Sequence, residues 1–470
     1  MSFLIFDLIF LIVFCVAIGL FLYTHKKKLK VESKVFLLYR TKVGLKFINW
    51  FSKKFAKILN VLSYFSITFG LLAIIIAFVL LFRSIEVIIS LVTVPKVPPV
   101  MPLVPYLPQI FNLPLPPFYF TYWILIIAIV AITHEFSHGI FASLYKLKIR
   151  ATGFGFLGPF LAAFVEPDEK AMQKRKPKQQ LAILSAGSFA NFIFALIFLI
   201  IMQLFFIFST APAGIIYATT SINASEIQNI TIDSTPIQGF QKEQILSLLS
   251  NNEPSRLIKI STSNETYYLS SSLLKEQLET LTKESRLVVF YDSPLLRANI
   301  SGEIKKINDI EVRNYDKIFR NLSETKPGQI VTIETNVSKY YIAAEKHPLN
   351  ESKGFVGLGS TAMPVSGVAK LLQDIISPTR NPFMFYKTKY NPEIFMFFSN
   401  LLWWLVIICI SVALINMLPL GMLDGGRFIY VAALGLTNSK KFAETVFKIA
   451  SFLVLLILLI LTAAWFIRVI

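Results

Sequence analysis

Residues 122–138 read YWILIIAIVAITHEFSH. The run YWILIIAIVAIT belongs to an apolar stretch of about 118–146 that reads as a membrane-spanning helix. On a helix, residues four apart share one face. His134 and His138 therefore offer two imidazole nitrogens to one metal ion. Glu135 follows the first histidine, where a carboxylate can take a proton from water. This is the ligand spacing of zinc hydrolases, placed at membrane depth, where ionisable groups are costly and functional by default.

The rest of the chain agrees with a membrane setting. Its 470 residues are 54% hydrophobic and 16% charged, with 43 phenylalanines. A soluble protein carries about 25% charged residues. Cys15 and Cys409 lie far apart in apolar runs, so they form neither a disulfide framework nor a C-x-x-C metal site. With only four histidines, a zinc site must take its next protein ligand from a carboxylate or from His25 or His347.

A net charge of +18 invites a nucleic-acid reading, but its distribution excludes one. Residues 24–58 hold eleven Lys/Arg against one acid, and residues 146–180 hold eight against three. Residues 212–393 are balanced, with twenty basic and nineteen acidic residues. Positive charge concentrated in short loops marks them as cytoplasmic.

In chain order, spans are expected at 2–23, about 58–82, 118–146, 181–208, 394–415 and 445–467. The first has no basic flank before it and no small-residue cleavage site after it, so it reads as a retained helix. KVGLKFINWFSKKFAKIL, in the first basic loop, is expected along the anionic inner leaflet. The proline-rich run at 94–118 excludes a regular helix. Glycines at 153, 155 and 158 mark an irregular, re-entrant hairpin over 151–166, beside the histidine motif. The fourth span opens SAGSFAN, whose small residues permit close helix approach and whose Asn191 needs a polar partner.

Residues 212–360 are polar and strand-like. They hold N-x-S/T sequons at Asn223, Asn229, Asn264, Asn299, Asn321, Asn336 and Asn350, and none lies elsewhere. Sequons confined to one segment suggest an extracytoplasmic face, as the charge pattern does independently. Within it, Ser293-Pro294, Gly302-Glu303-Ile304, Ile307-Asn308-Asp309, YDKIFRNL and Pro327-Gly328 follow the order of a bacterial-type PDZ domain, which this stretch resembles. Asp309 stands where that family usually has glycine. The earlier stretch ITIDSTPIQGFQKEQILSLLS echoes the same order, so two tandem units are possible.

The fifth span runs into NMLPLGMLDGG, residues 416–426. Asp424 is the only acid between Glu393 and Glu444, at the cytoplasmic end where the HEFSH motif also lies. A buried carboxylate needs a cation or hydrogen bonds. Two histidines and one carboxylate leave a fourth position for water, as in catalytic zinc sites.

With HEFSH, GSFAN and NMLPLGMLDG all in place, the chain resembles the site-2 protease family of intramembrane zinc metalloproteases, over most of 118–430. The resemblance implies one Zn2+ bound by His134, His138 and Asp424, with Glu135 as catalytic base. It also implies that Asn191 and Asn416 hold the substrate backbone. The expected fold is a polytopic α-helical membrane protein of about six spans with an inserted α/β PDZ-like domain. Its segments are 1–117 (two spans, a basic loop and a proline-rich loop), 118–211 (first half of the core), 212–360 (PDZ-like), 361–393 (linker) and 394–470 (second half). The expected partners are transmembrane proteins already trimmed outside, and membrane lipids, not nucleic acid. The expected location is multi-pass, in the cell membrane. Two other readings fit part of the pattern. Membrane zinc proteases that trim prenylated proteins also carry H-E-x-x-H, but they take a Glu as third ligand. A PDZ-bearing adaptor would have no use for Glu135.

Overall fold

The computed structural model describes residues 3–32, 36–90, 103–111, 113, 115–157, 160–249, 256–263, 265–280, 286–360 and 380–469. Residues 94–102, 112 and 114 of the proline-rich run, Gly158 of the hairpin, residues 361–379 of the linker and the Asn264 sequon lie outside them. The chain forms two compact units, Met1–Leu204 with Glu393–Ile470, and Phe205–Pro392.

Among the described residues of the chain, six helices are long and apolar enough to cross a membrane. They are α1 (Phe3–Thr24), α3 (Ala56–Ser90), α4 (Phe120–Leu144), α5 (Pro177–Ser209), α6 (Pro392–Ile415) and α8 (Lys440–Val469). The chain is thus a multi-pass membrane protein. These helices stay apolar on their outward faces, as α1 does at Ile12, Val16 and Leu20 and α3 at Leu71, Leu72 and Ile75. Apolar side chains facing out are what lipid requires.

Two further helices complete this unit. Helix α2 (Leu45–Lys54) lies in the basic loop, burying Ile48 and Ser52 and exposing Phe47 and Trp50. Its entry residue, Gly44, has φ +85°, and a Cβ there would sit 2.6 Å from the Phe136 ring. Helix α7 (Asp424–Thr437) lies between the spans expected at 394–415 and 445–467. Paired glycines argue for a turn there, but burial of Phe428 and Val431 outweighs their low helix propensity. Phe428 packs against Gly70 of α3, where a Cβ would lie 3.0 Å from its ring. Ile48, Ala73, Ala182, Ala186, Met417 and Phe428 belong to one core that joins these helices around α4 and α5.

The expected hairpin is present as β3 (Ile149–Leu157) and β4 (Phe160–Pro167). It is half of a larger sheet. The first basic loop supplies β1 (Leu29–Glu32) and β2 (Phe36–Thr41), giving the antiparallel order β1-β2-β3-β4. Gly153 is required at the β2–β3 contact, since a Cβ there would lie 2.2 Å from the Tyr39 carbonyl oxygen. The basic loop is therefore more than a leaflet-lying segment. Strands this short, pairing with partners more than a hundred residues away, leave little local signal.

The second unit has its own cores. In one, Ile230, Ile245, Ile260 and Leu287 meet; in the other, Ile304, Ile318, Val331 and Ile333. A hairpin–helix–hairpin pattern occurs twice. The first copy is β7 (Asn229–Ile232), β8 (Thr235–Gln238), helix Lys242–Leu249, β9 (Leu257–Ser261) and β10 (Thr266–Ser270). The second is β12 (Ile304–Ile307), β13 (Ile310–Glu311), helix Tyr315–Glu324, β14 (Ile330–Thr335) and β15 (Lys339–Ala343). Both sheets run second-first-third-fourth: β8-β7-β9-β10 and β13-β12-β14-β15. Both hairpins turn on two residues of positive φ, Asp233-Ser234 and Asn308-Asp309. That is the type I′ geometry matching strand twist. In the first copy, β11 (Arg286–Tyr291) and β6 (Thr219–Asn223) extend the sheet beyond β10.

The end of the expected linker belongs to this unit. Residues 384–388 form a strand antiparallel to residues 210–215, and Phe383 and Met384 are buried. The backbone N–H of Lys389 donates to Ser209 at 2.8 Å, so the ends of the insertion meet.

Candidate metal centre

Three donor atoms converge from the two chain segments of the membrane unit. His134 and His138 stand one turn apart on α4, with their Nε2 atoms 3.1 Å from each other. Asp424, the first residue of α7, brings Oδ2 to 3.2 Å from both. The chain reaches this position because α6 stops at Ile415 and α7 starts again at Asp424. Between them, the Gly425 N–H donates to the Asn416 carbonyl at 2.8 Å. A Cβ on Gly425 would lie 2.1 Å from the Met417 carbonyl oxygen, so the turn requires glycine.

The donor set fits zinc. With ligand bonds of about 2.0–2.1 Å, a tetrahedral ion separates its ligand atoms by about 3.3 Å. The three observed separations, 3.1, 3.2 and 3.2 Å, form a nearly equilateral triangle close to that size. His138 Nδ1 lies 2.7 Å from the Ile183 carbonyl oxygen. Its N–H donates there, which leaves Nε2 free as a ligand. The space is made by Gly187 on α5: a Cβ there would sit 2.4 Å from His138 Nε2 and 2.6 Å from His134 Cε1. His134, His138 and Asp424 thus have the composition and spacing of a metal centre.

Glu135 lies outside this triad. Its carboxylate accepts from the Val165 N–H of β4 at 3.0 Å, which ties it to the hairpin. Asn416 directs Nδ2 to 3.5 Å from His134 Nε2, at the rim of the triangle. Asn191 is fully buried, with its amide 3.2 Å from His134 Nδ1, on the side of the ring away from the donor atoms. Val165, Ile183 and Thr133, which also contact the site residues, are invisible to motif reading because two act through the backbone and the third through a buried helix face.

A cavity of about 170 Å³ lies between α4 and the β3–β4 hairpin. Ile124, Ile127, Ala128 and Ala131 of α4 line one side, and Leu161 and Ala163 of β4 the other. Ala131 precedes Glu135 by one helical turn, so this apolar groove leads toward the Glu135 carboxylate.

Comparison with known proteins meets this geometry at the same residues. The sequence model of peptidase family M50, the site-2 protease family, matches residues 122–461. The chain belongs to peptidase family M50. It is similar to a Clostridium perfringens protein named "Putative zinc metalloprotease CPE1693", with 23% identity over 62% of this chain and 76% of that one. It is also similar to "Uncharacterized protein MJ0971" of Methanocaldococcus jannaschii, with 32% identity over 39% of this chain and 48% of that one. The M50 match spans both the histidine motif and Asp424, so it includes the whole metal triad.

Proposed function

We propose that this M50 chain is an intramembrane zinc endopeptidase that hydrolyses peptide bonds in or near transmembrane segments of membrane proteins, as in regulated intramembrane proteolysis. The observation that carries the reading is the equilateral triad of His134, His138 and Asp424 beside a carboxylate, Glu135, that is not part of it.

The triad would hold one zinc ion, which supplies Lewis acidity toward water and toward a peptide carbonyl. Glu135 takes the proton from the attacking water and returns it to the leaving amine. The Val165 N–H holds that carboxylate in place through a charge-assisted hydrogen bond. The Asn416 amide, at the rim of the site, donates to the carbonyl oxygen of the scissile bond.

A peptide bond within a helix is shielded, so a substrate must unwind before it is cut. Strand β4 is the outer strand of its sheet among the described residues. Because the Val165 N–H points to Glu135, Leu161 and Ala163 present their backbone groups on that same open edge. An unwound substrate adds there as a further strand, its apolar side chains entering the groove along α4.

The same proposal extends to the rest of the molecule. The basic loops face the cytoplasm of a cell membrane, and residues 212–360 lie outside it, where their sequons are open to modification. The repeated units act as PDZ-like domains that admit substrates already trimmed outside. Helix α2, with Phe47 and Trp50 exposed beside Lys46, Lys53 and Lys54, rests on anionic lipid.

The test compares wild type with Glu135→Gln on a panel of single-span substrates in liposomes, with bound zinc quantified in both. We expect wild type to cut within the span, and the variant to keep its zinc and lose about 10²- to 10⁴-fold in rate. A variant that cuts as fast as wild type contradicts the assignment.

A further inference from the structure

Asn191 is fully buried between α4 and α5, and its side chain connects two residues of α4. With Nδ2 toward the ring, 3.2 Å from His134 Nδ1, the amide donates to that nitrogen. His134 would then carry its proton on Nε2, the atom that faces Asp424 and His138, and would have no lone pair for a metal. The other end of the amide conflicts as well. Thr133 Oγ1 lies 3.1 Å from Asn191 Oδ1 and 2.9 and 3.1 Å from the Ile129 and Val130 carbonyl oxygens, three acceptors for one hydroxyl proton.

An amide keeps its shape when its oxygen and nitrogen are exchanged by a half turn. That turn resolves both conflicts. The Thr133 hydroxyl donates to the Ile129 and Val130 carbonyls, and Asn191 Nδ2 donates to Thr133 Oγ1. Asn191 Oδ1 then accepts from His134 Nδ1–H, which leaves the Nε2 lone pair directed at Asp424 and His138. We infer that Asn191 is a positioning residue that fixes the tautomer and ring angle of His134 for metal binding, and that Thr133 anchors its amide. It does not touch substrate. The inference rests on the zinc reading above and assigns Asn191 a place inside the site rather than on the substrate path. It parallels the Ile183 carbonyl at His138, so each histidine is oriented by one buried acceptor on α5.

The test is zinc affinity, measured by chelator competition on the purified full chain in detergent, for wild type, Asn191→Leu and Asn191→Asp. Leucine matches the size of asparagine without an acceptor, while aspartate supplies an acceptor without the amide. We expect the leucine variant to bind zinc about 10- to 100-fold more weakly, and the aspartate variant to bind at least as well as wild type. Unchanged affinity in the leucine variant, or equal losses in both, would overturn the inference while leaving the zinc reading intact. A wild type without zinc would overturn both.

Discussion

Gly187 occupies the point of α5 that faces the two imidazoles, and its missing side chain is part of the site. Alanine is the better helix former, so Gly187→Ala should leave α5 intact. Its Cβ, however, would lie 2.4 Å from His138 Nε2, inside contact distance. We expect the variant to elute and melt like wild type yet bind zinc at least about tenfold more weakly, because one ligand must move by several tenths of an ångström. Chelator competition beside thermal unfolding checks this; equal zinc affinity would show that the site does not need the gap. At this scale, much of the triad was legible in the sequence. His134 and His138 needed only helix periodicity, and Asp424 was the one acid in its apolar surroundings. The orientation of Asn191 was not legible, because the face it shares with His134 follows from how α4 and α5 pack.

Among the elements, α4 carries both histidines of the triad and is fixed at its N-terminal end by an acid on a neighbouring helix. Asp7 of α1 is fully buried. It accepts from the Phe120 and Thr121 N–H groups at 2.8 and 2.9 Å, from Thr121 Oγ1 at 2.5 Å, and from the Tyr106 hydroxyl at 2.6 Å. It therefore caps α4 from another helix, satisfying donors that a helix start leaves open. Asp7→Ala should lower stability by about 2 kcal/mol, seen as a lower melting temperature in detergent. Zinc affinity should be unchanged, since His134 lies about 20 Å further along the helix. A loss of zinc in this variant would mean that α4 moves as a rigid body. The single acid in an apolar span was visible in the sequence, but reading 2–23 as a plain span passes over it. Its partners come from residues 106–121, and nothing local to Asp7 announces them. Strand β2 escapes the sequence for a related reason: it pairs with β3, which follows two spans later, and β1 adds to the sheet only through β2.

At the scale of the whole molecule, a six-span core of family M50 is interrupted by an insertion with its own cores. The span pattern and the insertion were legible from hydropathy and charge. The insertion's closing strand was not, because residues 384–388 gain their partner from residues 210–215, on the far side of the insertion. Since Ser209 and Lys389 are hydrogen bonded, excising 210–388 behind a short glycine linker should leave the six-span core able to fold. We expect the excised protein to bind zinc and cut in a Glu135-dependent manner, but to accept substrates that wild type refuses. Unchanged substrate choice would remove the filter from the proposal; loss of zinc would show that the core depends on the insertion. The central claim, that His134, His138 and Asp424 hold one zinc, is tested most directly by zinc K-edge X-ray absorption on the purified chain. The account predicts one zinc per chain, with two imidazoles and oxygen ligands at about 2.0–2.2 Å. Absence of zinc, or a first shell without imidazole, would contradict it.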